Sequence, residues 1–139
     1  MIFIAGNGGL CACAEHFAAE LMGKYAFDVF IPCIALTTNS SLITALANDI
    51  GYENVFAHQL EVLGKEGDTF IGMTTSHSKS ILNAVEVAKA KGMKVVLWDG
   101  DFLTGEGTAE KQELVLSLLH EFAYALKKEK LEYISSQSK

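Results

Sequence analysis

Proline is scarce in this sequence, which has one proline among 139 residues, and half of the residues are hydrophobic. This composition disfavours long disordered linkers and is typical of a globular chain. The length suits one domain with a sizeable core. We therefore expect a single domain over residues 1–139, with its core at about 2–126 and a solvated, lysine-rich helix end and tail at 127–139.

Positive charge is also in short supply. Eleven lysine and arginine residues stand against seventeen aspartate and glutamate residues, which gives a net charge of −6. Binding to a nucleic-acid backbone needs a basic face, so no nucleic-acid partner is expected. An acidic protein can still bind an anionic metabolite through backbone N–H groups and hydroxyls.

The sequence lacks the patterns of a disulfide-rich or membrane protein. Its three cysteines are an odd number, at Cys11, Cys13 and Cys33, which favours a reducing cytoplasm over a disulfide framework. No apolar run is long enough to span a membrane, and "MIFIAGNGG" has no basic region typical of a signal peptide. We expect a cytoplasmic protein without a membrane partner.

Short apolar runs alternate with longer amphipathic segments along the chain. The predicted strands are 2–5, 28–36, 68–75 and 93–98, and the predicted helices are 10–24, 40–49, 52–64, 78–91 and 108–130. This alternation predicts an α/β fold, a three-layer αβα sandwich around a mostly parallel sheet of about four strands. Pro32 favours an edge or irregular position for the second strand. Ligands bind such sheets beyond the carboxyl ends of the strands.

Two loops follow predicted strands and precede predicted helices. In "GNGG" (6–9), glycines allow a close backbone approach, and the free N–H groups at the helix start favour an anion. An ordinary turn explains this loop equally well. In "TTSHSKS" (74–80), four hydroxyls favour phosphate binding, although a helix N-cap would need only one of them. These hydroxyls belong to Thr74, Thr75, Ser76 and Ser78.

His16 and Glu20 lie four residues apart, on one face of a predicted helix. On the last predicted helix, Gln112 and His120 lie about 80° apart around the axis. Each pair alone reads as ordinary polar residues. Together the four side chains offer two nitrogens and two oxygens, a suitable set for zinc, and a carboxylate beside an imidazole can act as general base and acid. Cys13 shares the face of His16 as a possible ligand or, more simply, a small buried hydrophobe.

Three segments, taken in order, resemble the sugar isomerase (SIS) domain family, and within it the phosphoheptose isomerases. They are "GNGG…HFAAEL", "LTTNSSLITALANDIGYENVFAHQLEVLGKEGDTFIGMTTS" and "TAEKQELVLSLLH", and the resemblance runs over about 2–126. It implies a flavodoxin-like SIS fold and an enzyme that interconverts sedoheptulose 7-phosphate and D-glycero-D-manno-heptose 7-phosphate. It also implies a zinc ion, a tetramer or dimer, and a role in making the heptose of lipopolysaccharide or capsule.

The resemblance also implies roles for individual residues. Glu20 falls on the position of the catalytic base and His120 on that of its acid partner. One zinc ion would be held by His16, Glu20, Gln112 and His120. Substrate-binding positions fall on Asn7, Gly8, Gly9, Asp49, Thr74, Thr75, Ser76, Ser78 and Thr108.

The sequence departs from the family pattern at several places. Leu10 stands where the family has serine, Cys13 where it has aspartate, and His77 where it has Gly-Asn. The chain is also short before the first strand and before the last helix. These departures favour a second hypothesis, a non-catalytic SIS module that binds sugar phosphates or a protein partner. A third is an isomerase for another phosphosugar, because one sequence does not rank the pocket residues that would set the length of the sugar.

Overall fold

A computed structural model of the protein describes residues 1–101 and 103–137. Its sheet has four strands, β1 (Ile2–Ala5), β2 (Cys33–Ala35), β3 (Thr69–Met73) and β4 (Lys94–Trp98). The strand order is β2-β1-β3-β4, and all three pairings are parallel. This order is that of the flavodoxin-like sheets, and it confirms the predicted fold class.

Helices cover both faces of this sheet. They are α1 (Gly9–Met22), α2 (Ser40–Ile50), α3 (Val55–Leu63), α4 (Lys79–Ala90) and α5 (Thr108–Gln137), with a short 3-10 helix at Tyr52–Asn54. Side chains alternate between the two faces along a strand. In β1, Ile4 packs into a core with α1 and α5, whereas Phe3 and Ala5 pack into a second core with α2, α3 and α4. The three layers are therefore as predicted.

The second strand is much shorter than the predicted segment 28–36. Only Cys33–Ala35 pair with β1, and β2 is an edge strand. Pro32 lies just before it, where its carbonyl accepts a hydrogen bond from the Ile2 N–H at 3.1 Å. Proline has no N–H to donate, so it fits the entrance of an edge strand but not the interior of a longer one.

The last helix is longer than predicted, because α5 continues to Gln137 rather than ending near residue 130. Residues 128–137 are exposed or half-buried, as expected of a helix end. The expectation of a solvated segment from residue 127 is wrong for Lys127 itself, which has an exposed fraction of 0 %. In the described part of the chain, no helix is both long enough and apolar enough to cross a membrane.

Gly72 in β3 allows the sheet to lie close to α4. A Cβ at this position would lie 2.9 Å from Cγ2 of the buried Ile81 and 3.2 Å from Cε1 of Phe70. We predict that Gly72→Ala lowers the free energy of unfolding by about 1–3 kcal/mol, because a packed core resists extra volume. Urea unfolding measures this change, with Gly107→Ala as the control, since a Cβ there meets nothing within 4 Å. Equal stability of the two variants would contradict the packing argument.

Candidate active site

Helices α1 and α5 bring His16 and Glu20 together with His120, which follows His16 by 104 residues in the sequence. Nε2 of His16 lies 3.0 Å from Oε1 of Glu20 and 3.2 Å from Nε2 of His120. Nε2 of His120 lies 3.1 Å from the same Glu20 oxygen. These three atoms form a nearly equilateral triangle, which we call the histidine–glutamate triangle.

The His120 ring is oriented by its own helix. Its Nδ1 lies 2.8 Å from the Leu116 carbonyl oxygen, one turn earlier in α5. A carbonyl only accepts, so Nδ1 donates a proton to this bond, and in the neutral ring Nε2 then presents its lone pair to the triangle. This bond therefore fixes both the tautomer and the direction of the ring, as is usual for metal-binding histidines.

Glu20 is the buried member of the triangle. Its side chain is 9 % exposed, against 47 % for His16 and 39 % for His120. The second carboxylate oxygen, Oε2, is buried and has no hydrogen-bond partner among the described residues. A buried, unpartnered carboxylate oxygen is costly, and such atoms are rare unless they serve a ligand or a reaction.

The triangle fits a divalent metal ion of the size of zinc. With Zn–N and Zn–O bonds of about 2.0–2.1 Å, tetrahedral ligand atoms lie about 3.3–3.4 Å apart. The observed separations of 3.0 to 3.2 Å are close to that spacing. Two imidazole nitrogens and a carboxylate oxygen are also a donor set that zinc accepts.

Gln112, the fourth predicted ligand, lies elsewhere on α5. A Cβ built on Gly9 would overlap the Gln112 side-chain amide, so this amide packs against the first residue of α1. Gln112 precedes His120 by eight residues, or about 12 Å along the helix axis. Among the described residues, no hydrogen bond joins Gln112 to the triangle, and its role as a ligand stays a prediction. Gly9 is needed here for close helix packing.

Cys13 faces the core rather than the triangle. It is 8 % exposed and packs among the hydrophobic residues between α1 and the sheet. Burial raises the pKa of its thiol, which disfavours the thiolate that binds metals. The structure thus favours the small buried hydrophobe over the metal ligand. A shallow pocket of about 200 Å³ opens beside it, lined by Ala12, Cys13, His16 and Leu116.

A second polar group lies at the carboxyl edge of the sheet, between β1 and β3, where the strand order reverses. Nδ2 of Asn7 donates to the hydroxyls of Ser78 at 2.9 Å and Ser80 at 3.0 Å. The Tyr52 hydroxyl donates to Oδ1 of Asn7 at 2.7 Å. We call these four residues the switch-point network, because such reversals are where open α/β sheets bind ligands. Asn7 and Ser78 were predicted for this region, whereas Tyr52 and Ser80 were not.

Thr74 stabilises the hydroxyl-rich loop after β3 through hydrogen bonds to the backbone of the loop itself. This buried side chain accepts hydrogen bonds from the backbone N–H of Ser78 at 2.9 Å and of Ser76 at 3.3 Å. Ser78 stands at the N-cap of α4 but makes no capping hydrogen bond with its side chain. The N-cap alternative therefore does not account for the Ser78 hydroxyl, which joins the switch-point network instead. Thr75 is half-buried and Ser76 is exposed.

The other predicted substrate-binding residues have fewer contacts. Gly8 precedes α1 with a φ of 56°, a conformation that favours glycine, and no side chain caps the helix there. Asp49 is exposed and accepts from the Asn48 side chain at 2.9 Å, and Thr108 is exposed at the start of α5. Within the described residues, no hydrogen bond links either of them to the triangle or the switch-point network. Leu10, one of the departures, is buried in the core.

Comparisons with known proteins agree with this architecture. The SIS domain profile matches residues 1–97. The chain is 56 % identical over 95 residues to the phosphoheptose isomerase of Sulfurimonas denitrificans, covering 67 % of this chain and 49 % of that protein. It is 48 % identical over 117 residues to the one of Leptospira biflexa, covering 79 % of this chain and 60 % of that protein. The chain thus spans about half the length of the curated relatives that it matches.

Solved structures show the same relationship. Phosphoheptose isomerase GmhA from Neisseria gonorrhoeae superposes with a TM-score of 0.77 at 31 % identity, covering 89 % of this chain and 76 % of that chain. A phosphoheptose isomerase from Francisella tularensis gives a TM-score of 0.79 at 30 % identity, with the same coverage. These likenesses confirm the resemblance seen in the sequence. Since the profile matches well over half of its residues, the chain belongs to the SIS domain family.

Proposed function

We propose that this chain is an aldose–ketose isomerase that interconverts sedoheptulose 7-phosphate and D-glycero-D-manno-heptose 7-phosphate. The observation that carries the proposal is the buried Glu20 carboxylate, held against two imidazoles, with one oxygen that has no hydrogen bond to any described residue. The names of the similar proteins support the reaction class.

Glu20 is the proposed base, because its free Oε2 can take a proton while Oε1 faces the two imidazoles. In the ketose-to-aldose direction, Glu20 removes a proton from C1 as His120, with Nε2 protonated, donates one to the oxygen on C2. The product of this step is a cis-enediol. Glu20 then returns its proton to C2, and the C1 hydroxyl gives its proton back to His120, which leaves the aldehyde.

The proposed cofactor is one zinc ion, held by His16, Glu20 and His120, with Gln112 as the predicted fourth ligand. When bound, zinc would polarise the sugar carbonyl and stabilise negative charge on its oxygen. The ligand role and the acid role of His120 use the same Nε2, because Nδ1 is committed to the Leu116 carbonyl. His120 would thus be the acid in the metal-free protein and a ligand in the metal-loaded one.

The switch-point network is the proposed phosphate end of the site. It offers the hydroxyls of Ser78 and Ser80, and the N-terminal end of α1 follows Asn7 closely in the chain. His16 follows Gly9 by seven residues, about 10 Å along the axis of α1. A phosphate held at one end would place the reacting carbons of an extended sugar toward the other, so that its binding energy orients the substrate. Thr74, Thr75 and Ser76 complete the proposed loop.

The domain extent, location, pathway and oligomeric state that we propose follow from the resemblance to the phosphoheptose isomerases. We propose a single SIS domain over residues 1–139, a cytoplasmic location, and a role in supplying heptose for lipopolysaccharide or capsule. A homo-oligomer, either tetramer or dimer, is supported by large hydrophobic side chains exposed along α5. These are Leu116, Tyr124, Leu131, Tyr133 and Ile134.

A second candidate function is sugar-phosphate binding without catalysis. The observation in its favour is that the switch-point network is connected by its own hydrogen bonds and includes no member of the histidine–glutamate triangle. A module that keeps only the network would bind the phosphate and leave the sugar unchanged. The isomerase needs the Glu20 carboxylate for turnover, whereas the binding module has no turnover and no such need.

Glu20→Gln is the variant that separates them. We predict that it lowers kcat by about 10²- to 10⁴-fold, because the amide cannot take up the proton from carbon. Folding and binding of sedoheptulose 7-phosphate should stay nearly unchanged, as measured by circular dichroism and calorimetry. Glu15→Gln is the matched control, since Glu15 is an exposed carboxylate on the same helix. Full activity in the Glu20 variant would remove Glu20 from the role of base.

The metal proposal has its own test. Elemental analysis of the purified protein should find about one zinc ion per chain, because the triangle and Gln112 supply the ligands of a single proposed site. His16→Ala should lower this content strongly, whereas Cys13→Ala should leave it unchanged because Cys13 faces the core. A protein that holds no divalent metal and gains no rate when zinc is added would contradict the proposal.

A further inference from the structure

Lys127 in α5 is a wholly buried lysine whose hydrogen bonds go to carbonyl groups. Its Nζ donates to the carbonyl oxygens of Gly23 at 2.7 Å and Glu20 at 3.1 Å. Buried lysines usually pair with a carboxylate. Here no carboxylate of a described residue lies within salt-bridge distance of Nζ. Burial lowers the pKa of this ammonium, and the more distant Asp28 and Glu20 carboxylates act in the opposite direction.

The two carbonyls belong to the C-terminal end of α1. The last four carbonyls of a helix have no partner within it, and the negative end of the helix dipole favours a cation. Two neighbouring carbonyls have backbone partners, because Ala19 accepts from Gly23 at 2.7 Å and Leu21 accepts from Ile31 at 2.9 Å. Lys127 adds a donor from another helix to the Glu20 and Gly23 carbonyls, so the end of α1 is capped by α5.

This cap involves Glu20, whose side chain is the proposed base. Glu20 supplies both a carbonyl to Lys127 and a carboxylate to the triangle. His120 lies seven residues before Lys127, two turns along the same face of α5. Helix α5 therefore holds α1 at two successive levels, through Lys127 at one and through His120 at the other.

We infer that Lys127 is a positioning residue that sets the axial and rotational position of α1 against α5, so that His16 and Glu20 meet His120. The catalytic benefit of this positioning rests on the proposed function. The positioning itself needs neither metal nor substrate. The triangle also joins the two helices, through the contacts of His120 Nε2 with His16 and Glu20, but Oε2 of Glu20 has no partner among the described residues and adds no contact between the helices.

Lys130 provides a matched control. It lies one turn further along α5, and its Nζ also donates to a carbonyl of another segment, that of Phe30 at 2.7 Å. Phe30 precedes β2 and is not part of α1. Loss of the Lys130 bond should thus remove a similar hydrogen bond and leave the position of α1 unchanged.

The test is proton NMR on the metal-free protein, with the nuclear Overhauser effect between the ring protons of His16 and His120 as the readout. Their ring centroids are 5.1 Å apart. Lys127→Met should abolish this effect and shift both ring signals, while the signals of His58 and His77 stay in place. Lys127→Arg, which keeps the charge and the donors, should restore it, and Lys130→Met should retain it. An unchanged effect in Lys127→Met would overturn the inference.

If Lys127→Met fails to fold, Lys127→Gln takes its place, because the shorter glutamine side chain cannot reach both carbonyls. The Gln variant should lose the same effect, and its retention would again overturn the inference. Zinc titration adds a second readout, with affinity expected to fall about 10- to 100-fold in Lys127→Met, as for residues that support metal ligands.

Failure of the inference and failure of the proposed function give different results. Loss of the ring contact in Lys127→Met, in a protein whose unmodified form does not convert the sugar phosphate, would support the positioning role and count against the isomerase. An active unmodified protein whose ring contact survives Lys127→Met would support the isomerase and overturn the positioning role.

Discussion

The packing of α1 against α5 on one face of the sheet is the interaction on which the candidate site depends. Phe17 of α1 stacks on Phe122 of α5 with ring centroids 5.9 Å apart, and Leu21 and Leu119 are wholly buried in the same core. Each such side chain contributes about 1.5–3 kcal/mol when it leaves water. The polar triangle lies beside these hydrophobic contacts. The core around the triangle thus helps to hold α1 and α5 together.

Helix α1 also joins the two halves of the site. Its N-terminal end follows the loop that carries Asn7, at the edge where the strand order reverses, and its C-terminal half carries Glu20. Gly9 lets α5 approach the start of this helix, and Lys127 holds its end. A shift of α1 would therefore alter the surroundings of Asn7 and the histidine–glutamate triangle together.

Much of this was predictable from the sequence, for physical reasons. Apolar runs separated by amphipathic segments lead to one fold class, and the spacing of His16 and Glu20 places them on one helix face. Two errors have clear causes. Pro32 shortens β2 because it cannot donate, and Lys127 is buried because α5 packs on α1 along its length.

Other features could not be read from the sequence at all. Lys127 stands in a lysine-rich stretch that is typical of a solvated helix end, and only the long-range packing of α5 on α1 makes it a buried cap. The contact of Tyr52 with Asn7 depends on how the 3-10 helix at Tyr52–Asn54 lies against the loop after β1. Both contacts join residues far apart in the chain, and neither has a local sequence pattern.

The proposed reaction moves a proton between two neighbouring carbons of a sugar phosphate, with Glu20 as the base. The most direct measurement is conversion of sedoheptulose 7-phosphate in deuterated water by the zinc-supplemented protein, followed by NMR. We expect an aldose product, formed at a rate that Glu20→Gln lowers about 10²- to 10⁴-fold, with deuterium on C2 only in those turnovers in which the proton on Glu20 exchanges with solvent. The absence of product, or conversion at an equal rate by the Glu20→Gln protein, would contradict the role of Glu20.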